Sequence, residues 1–152
     1  MYRWRAGELQ LLLVHPGGPF WRGKDAGAWM IPKGGVEAGE EPADAARREF
    51  EEELGSKPEG PLTPLPRIRQ AGGKWVEAFA LEGDLDADRI VSNHFSLEYP
   101  PRSGRFQSFP EVDAAAWFTL PEARAKMLSS QLPLLDAVER LAVEAATVTK
   151  PA

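Results

Sequence analysis

Apolar residues along this chain come in short runs separated by turn-forming residues. Leu9 to Val14 is a continuous apolar run that stops ahead of the turn Pro16-Gly17-Gly18-Pro19, and Ala28 to Ile31 is a second that stops at Pro32. Runs of this length, punctuated by glycine and proline, predict buried strands. Trp75 to Leu81 and Ala114 to Phe118 read as further strands. Pro42 to Leu54 predicts a helix with signals at both ends: Pro42 fits the first turn, where a missing N–H costs nothing, and Gly55 fits a left-handed stop. Further helices are expected from about Pro121 to Leu128 and from about Leu132 to Ala146, with 147–152 a flexible tail. Strands interleaved with helices predict an α/β or α+β fold, with helices on both sides of a mixed sheet and one domain over 1–146.

Composition narrows the function. A chain of 152 residues suffices for one core. No stretch approaches the roughly 18 apolar residues of a membrane span, and Met1 to Gln10 has no apolar targeting core, so a soluble, cytoplasmic protein with no membrane partner is expected. The absence of cysteine removes disulfides and thiolate metal sites. A formal net charge of −5 repels polyanions, so tight nucleic-acid binding is not expected, and an anionic substrate needs a cation or a local basic patch. The sequence carries no signal for oligomeric state.

On a helical wheel for Pro42 to Leu54, Ala43, Ala46, Phe50 and Leu54 fall on one side, and Glu49, Glu52 and Glu53 cluster on another, with Glu51 turned away. Like charges three and four residues apart destabilise a helix by a few tenths of a kcal/mol per pair. Carboxylates from one turn suit a hard cation, Mg²⁺ or Mn²⁺, which binds oxygen ligands and phosphate together. The competing reading is a charged, solvated face.

The flanks favour the first reading. Gly34, Glu40, Arg48, Glu49, Glu52, Glu53 and Gly55 stand in the spacing G-x5-E-x7-R-E-U-x-E-E-x-G-U, where U is a bulky aliphatic residue. At average residue usage, a chance match at these seven positions is on the order of 10⁻⁸ per register. The segment resembles the box of the Nudix hydrolase family, departing from it only at Phe50 and Ser56. The lead-in Trp29-Met-Ile-Pro-Lys-Gly-Gly35 and the late Trp117-Phe118 are similar to the family as well. Met1 to Arg5 leaves little room for the family's longer first strand, which suggests a late or truncated start.

The resemblance implies an α/β/α sandwich around a mixed β-sheet. It also implies hydrolysis of a pyrophosphate bond in a nucleoside-diphosphate-linked substrate, with Mg²⁺ or Mn²⁺ as cofactor. It assigns metal to Glu49, Glu52, Glu53 and the carbonyl of Lys33, makes Arg48 the residue that orients the glutamates, and makes Glu40 a brace for the loop. A later glutamate serves many members as metal ligand or general base; Glu111 resembles it in placement, and Glu98 is the alternative. Arg102 and Arg105, around a Ser-Gly turn, are candidate phosphate contacts. Phe20, Trp21, Trp29 and Trp75 can stack on a base or fill the core, and His15 and His94 are isolated. A dinucleoside polyphosphate is the first expected substrate. The alternatives are oxidised or non-standard nucleoside triphosphates and, in a different class, a catalytically silent nucleotide sensor.

Overall fold

The computed structural model describes residues 1–70 and 72–149. Its strands are β1 (Tyr2–Arg5), β2 (Glu8–Pro16), β3 (Thr63–Pro64), β4 (Ile68–Arg69), β5 (Trp75–Val76), β6 (Phe79–Ala80), β7 (His94–Glu98), β8 (Phe106–Pro110) and β9 (Val112–Thr119). Its helices are α1 (Pro42–Leu54), α2 (Leu120–Lys126) and α3 (Pro133–Thr149), with 3₁₀ turns at Ala87–Arg89 and Ser129–Gln131.

The central strand is β2, antiparallel to β1 on one side and to β9 on the other. Its unbroken apolar run follows from burial on both faces. Leu9, Leu11 and Leu13 pack with Ala123 of α2 and with Leu135 and Val138 of α3, while Leu12 and Val14 pack with Phe50 and Leu54 of α1. Helices thus cover both faces, in an α/β/α arrangement. Parallel character enters through isolated bridges, Tyr2 with Glu82 and Trp29 with Met127. No helix among the described residues is long and apolar enough to cross a membrane.

Several elements differ from the sequence expectation. Tyr2–Arg5 forms a strand, joined to β2 by Ala6 and Gly7 at φ 49° and 79°, the left-handed conformation of a tight hairpin turn. Trp75 to Leu81 is not one strand: β5 pairs with β4 and β6 with β3, so the run changes partner after Val76. From Ala28 to Ile31 two isolated bridges stand in place of a strand, Trp29 with Met127 and Met30 with Val14, the latter pair exchanging backbone hydrogen bonds of 2.8 and 2.9 Å. The β7–β8 hairpin is a further element beyond the expected strands; Phe95 and Leu97 alternate with polar residues in β7, and Phe95 stands opposite Phe109 of β8. Helix α2 begins at Leu120, where Thr119 and Glu122 form a reciprocal cap. Helix α3 continues past Ala146 to Thr149, and the rest of the expected tail, 150–152, lies outside the described residues.

The C-terminal end of α1 is tied into the fold through backbone. Gly55, at φ 77°, donates to the Glu51 carbonyl at 2.8 Å, and a Cβ there would lie 2.7 Å from the Val91 carbonyl oxygen, so both conformation and space require glycine. Asn93 N–H donates to the Glu52 carbonyl, and Glu111 N–H donates to the Asn93 carbonyl, each at 2.8 Å. Gly17 N–H in turn donates to the Glu111 carbonyl at 3.0 Å. This relay carries Glu111 to the end of α1.

Candidate active site

Helix α1 presents the acidic residues beside the irregular segment 31–41. Arg48 organises them. Its Nε and Nη2 donate to the two carboxylate oxygens of Glu40 at 2.9 and 3.0 Å, a bidentate pair. Its Nη1 donates to Glu49 at 3.0 Å and to Glu52 at 3.2 Å, and Nη2 also reaches the Gly35 carbonyl at 2.8 Å. One guanidinium therefore joins the loop to two carboxylates of the helix. Glu40 closes the loop by accepting from Glu37 N–H at 3.0 Å. Glu53 accepts from the backbone N–H of Lys33 at 3.1 Å. Gly34 lies against the carboxylate of Glu49, and a Cβ there would coincide with that group. The segment thus approaches the helix closely enough that a side chain at 34 would displace the Glu49 carboxylate.

Electrostatics divide these glutamates into two kinds. Hydrogen bonds from Arg48 hold Glu40 below the ordinary carboxylate range, and the same pairing raises the affinity of Arg48 for its proton. Glu53 is pushed up to about 8, first by burial and then by the charges of Glu49 and Glu111, against the backbone bond from Lys33. Burial also raises Glu49, offset by Arg48 and reinforced by Glu52 and Glu111. Glu53 thus has no ion-pair partner among the described residues and Glu49 only a partial one in Arg48, and the charge of Glu111, but not that of Glu98, acts on both.

Among the described residues no three His, Asp or Glu side chains already converge as a closed metal cage. The donor set nonetheless suits a hard divalent cation. It consists of carboxylate oxygens, Glu53 among them held against its charge by burial, and the lack of a Cβ at Gly34 leaves room for the Glu49 carboxylate beside the loop.

A cavity of about 460 Å³ opens beside this cluster, with Lys33, Gly34 and Glu49 on its wall and an apolar interior that includes Leu65, Phe79 and Met127. Of the expected substrate-binding residues, Lys33 and Trp75 line it. Trp21 does not: it packs half-buried against the core on the α1 side, with Lys24 Nζ 5.6 Å from its ring centroid. Arg102 and Arg105 lie outside it too, exposed on the loop between β7 and β8. Trp29 is a packing residue in edge contact with Phe118, and Phe20 meets Tyr99 in the same manner. His15 is buried between the Asp113 carboxylate at 2.8 Å and the Lys24 carbonyl at 2.7 Å, whereas His94 is exposed. Sequence reading missed Arg67, Gln70 and Lys74 on the cavity wall. Their one available signal was the basic flank of Trp75.

The family model for the NUDIX domain matches residues 4–138. The chain belongs to the Nudix family. An octanoyltransferase of Myxococcus xanthus is 33% identical over 123 residues, which are 81% of this chain and 30% of that protein. An RNA pyrophosphohydrolase of Gluconacetobacter diazotrophicus is 31% identical over 115 residues, 69% of this chain and 62% of that protein. The chain therefore spans less than two thirds of the length of these relatives. Among solved structures, a C. elegans Ap4A hydrolase binary complex superposes with a TM-score of 0.63 over 94% of both chains at 22% identity. The NUDIX domain of Shewanella oneidensis NrtR complexed with ADP ribose superposes with a TM-score of 0.57, over 92% of this chain and 82% of that one, at 19% identity. These two likenesses are of fold. Within the Nudix box, Phe50 fills the packing face of α1 in place of an aliphatic residue, and Ser56 is exposed beyond the helix.

Proposed function

We propose that this Nudix domain is a divalent-metal-dependent hydrolase of a pyrophosphate bond in a nucleoside-diphosphate-linked substrate, with a dinucleoside polyphosphate as the first candidate. The observation that carries the reading is the set of glutamates ordered by Arg48, with Glu53 beside them held against its charge by burial, next to a cavity that Glu49, Lys33 and Trp75 line. Glu49, Glu52, Glu53 and the Lys33 carbonyl would hold Mg²⁺ or Mn²⁺. When bound, such an ion neutralises phosphate charge and makes water more acidic.

The rest of the work falls to the chain. Arg48 keeps Glu49 and Glu52 in one orientation, and Gly34 lets the loop close on Glu49. Glu111, exposed and in electrostatic contact with Glu49 and Glu53, is the base that accepts a proton from water. The water oxygen adds to phosphorus, the bridging P–O bond breaks, and two phosphate-terminated products leave. Trp75, about half exposed at 51%, offers an aromatic surface for a base.

A second reading, removal of pyrophosphate from RNA 5′ ends, is favoured by the relative of that name. The acidic balance of the chain weighs against it, since RNA affinity rests on phosphate neutralisation. Oxidised or non-standard nucleoside triphosphates remain a third substrate class. A silent sensor is disfavoured by the complete set of box carboxylates.

The test is a hydrolysis screen with Mg²⁺ or Mn²⁺ supplied, across dinucleoside polyphosphates, standard and oxidised nucleoside triphosphates, 5′-triphosphorylated RNA, ADP-ribose and nucleotide sugars, with products identified. Metal-dependent release of nucleotide from a member of the panel is expected. Nucleotide binding without turnover of any of them would leave the sensor.

A further inference from the structure

The lining that holds Glu49 also holds Trp75 of β5, which pairs antiparallel with β4 so that Arg69 stands in register with Trp75. The guanidinium carbon of Arg67 stands 4.8 Å from the Trp75 ring centroid, and that of Arg69 stands 5.5 Å away. The indole is about half exposed, so the two guanidiniums are steadied by a surface that does not neutralise them. Arg69 also donates to the Gly73 carbonyl at 3.2 Å. Among the described residues neither Arg67 nor Lys74 has a carboxylate within ion-pair distance, unlike Arg48, whose charge is taken up by Glu40, Glu49 and Glu52. Both line the cavity, together with Gln70. On a chain of net charge −5, the unpaired cations of Arg67, steadied on the Trp75 ring, and of Lys74, its neighbour on the cavity lining, are a local reversal of the field.

We infer that Arg67 and Lys74, set around Trp75, bind the phosphates of the substrate chain that lie beyond the bond being cleaved, so that the site selects extended polyphosphates over nucleotide sugars. The argument rests on the hydrolase reading for the position of the cleaved bond. At Glu49 the cavity lining requires a cation before phosphate can approach, whereas Arg67 and Lys74, on the stretch that also places Glu77 on the lining, attract phosphate unaided. A substrate that satisfies both parts of the lining has negative charge at its reacting end and further negative charge along its length. Dinucleoside polyphosphates and nucleoside triphosphates meet that condition. A sugar attached to a diphosphate places neutral hydroxyls against the guanidinium, and it forgoes the charge-assisted bonds that Arg67 would form with phosphate oxygens.

The experiment uses the full chain with Mg²⁺ and compares Arg67→Gln, Lys74→Gln and the double variant with wild type and with Arg89→Gln, a surface arginine outside the cavity. Steady-state rates are measured on diadenosine tetraphosphate, ATP and ADP-ribose, which share the adenosine group. The double variant should raise KM for the tetraphosphate roughly ten-fold with little change in kcat, as loss of charge-assisted contacts made before and during reaction requires. The ratio of kcat/KM for tetraphosphate over ADP-ribose should then fall about five-fold or more. A ratio within two-fold of wild type, or an equal loss on every substrate, overturns the inference.

Calorimetric titration with inorganic tripolyphosphate supplies a reading that does not need turnover. The wild type should bind it, with an affinity that the double variant lowers about ten-fold and that Arg89→Gln leaves alone. Equal binding by wild type and double variant overturns the inference even where all hydrolysis is absent. Conversely, a protein that turns over nothing but loses tripolyphosphate with Arg67 and Lys74 refutes the hydrolase reading and keeps the anion site.

Discussion

Replacing Glu53 by glutamine removes the carboxylate on which burial weighs most. In the metal-free protein this group holds its proton up to about pH 8, against 4.5 for an ordinary glutamate. Because the folded chain binds that proton more tightly than the unfolded chain, the stabilising contribution is fully present below pH 4.5, declines as pH rises and is lost above about 8. At a little over 1 kcal/mol for each tenfold change in proton affinity, the displacement sets a ceiling of about 5 kcal/mol. Relaxation and water reaching the partly exposed side chain bring the expected effect down to about 1–2 kcal/mol. Glu53→Gln, neutral at every pH, should therefore be more stable than wild type at pH 8.5 in chelator by about that amount, or several degrees in melting temperature. The two proteins should converge near pH 5. Denaturant unfolding between pH 5 and 9 measures the difference, and added Mg²⁺ should stabilise wild type but not the variant. In the same protein, turnover should drop by about two orders of magnitude or more. A variant no more stable than wild type at pH 8.5, or one with the same pH slope, would refute the claim that Glu53 is held against its charge.

Arg48→Ala should lower both stability and rate, because it strips Glu40, Glu49 and Glu52 of their shared donor, and Arg48→Lys should rescue only part of this, since an ammonium cannot hold Glu40 in a planar bidentate pair; full rescue in thermal melts and kcat would contradict the bridging role. Gly34→Ala should displace the Glu49 carboxylate and weaken Mg²⁺ binding about ten-fold or more while the fold persists, because a flexible side chain is what must move; calorimetry with Mg²⁺ alone checks it. Glu111→Gln should reduce kcat far more than Glu98→Gln with little effect on KM, and it should remove the acid limb of the pH–rate profile; the reverse ranking would give the role to Glu98.

Helix α1 could be read from residue order because everything that defines it is local. Pro42 and Gly55 mark its ends, a period of 3.6 separates Phe50 and Leu54 from the acidic side, and spacing alone brings Glu49, Glu52 and Glu53 together. The run Leu9 to Val14 was equally plain, since a strand buried on both faces needs apolar residues at every position. Other features depend on what the chain meets after folding. Trp75 to Leu81 divides between two partners, and nothing in its own pattern states where β4 or β3 will lie. Arg102 and Arg105 looked like phosphate contacts because they are close in sequence to a turn, yet Arg67 and Lys74 reach the cavity because a hairpin folds them over it. Glu111 stands 58 residues after Glu53 and is tied to the end of α1 by its N–H donating to the Asn93 carbonyl and its carbonyl accepting from Gly17 N–H, partners that periodicity cannot identify. The elevated proton affinity of Glu53 likewise comes from burial and from charges that three separate segments bring together. Residue order determined the metal-type carboxylates and the helix that carries them, whereas the cavity, its basic wall and the charge state of the site were decided by tertiary contacts, because solvent exclusion and long-range pairing are properties of the packed chain and not of any window along it.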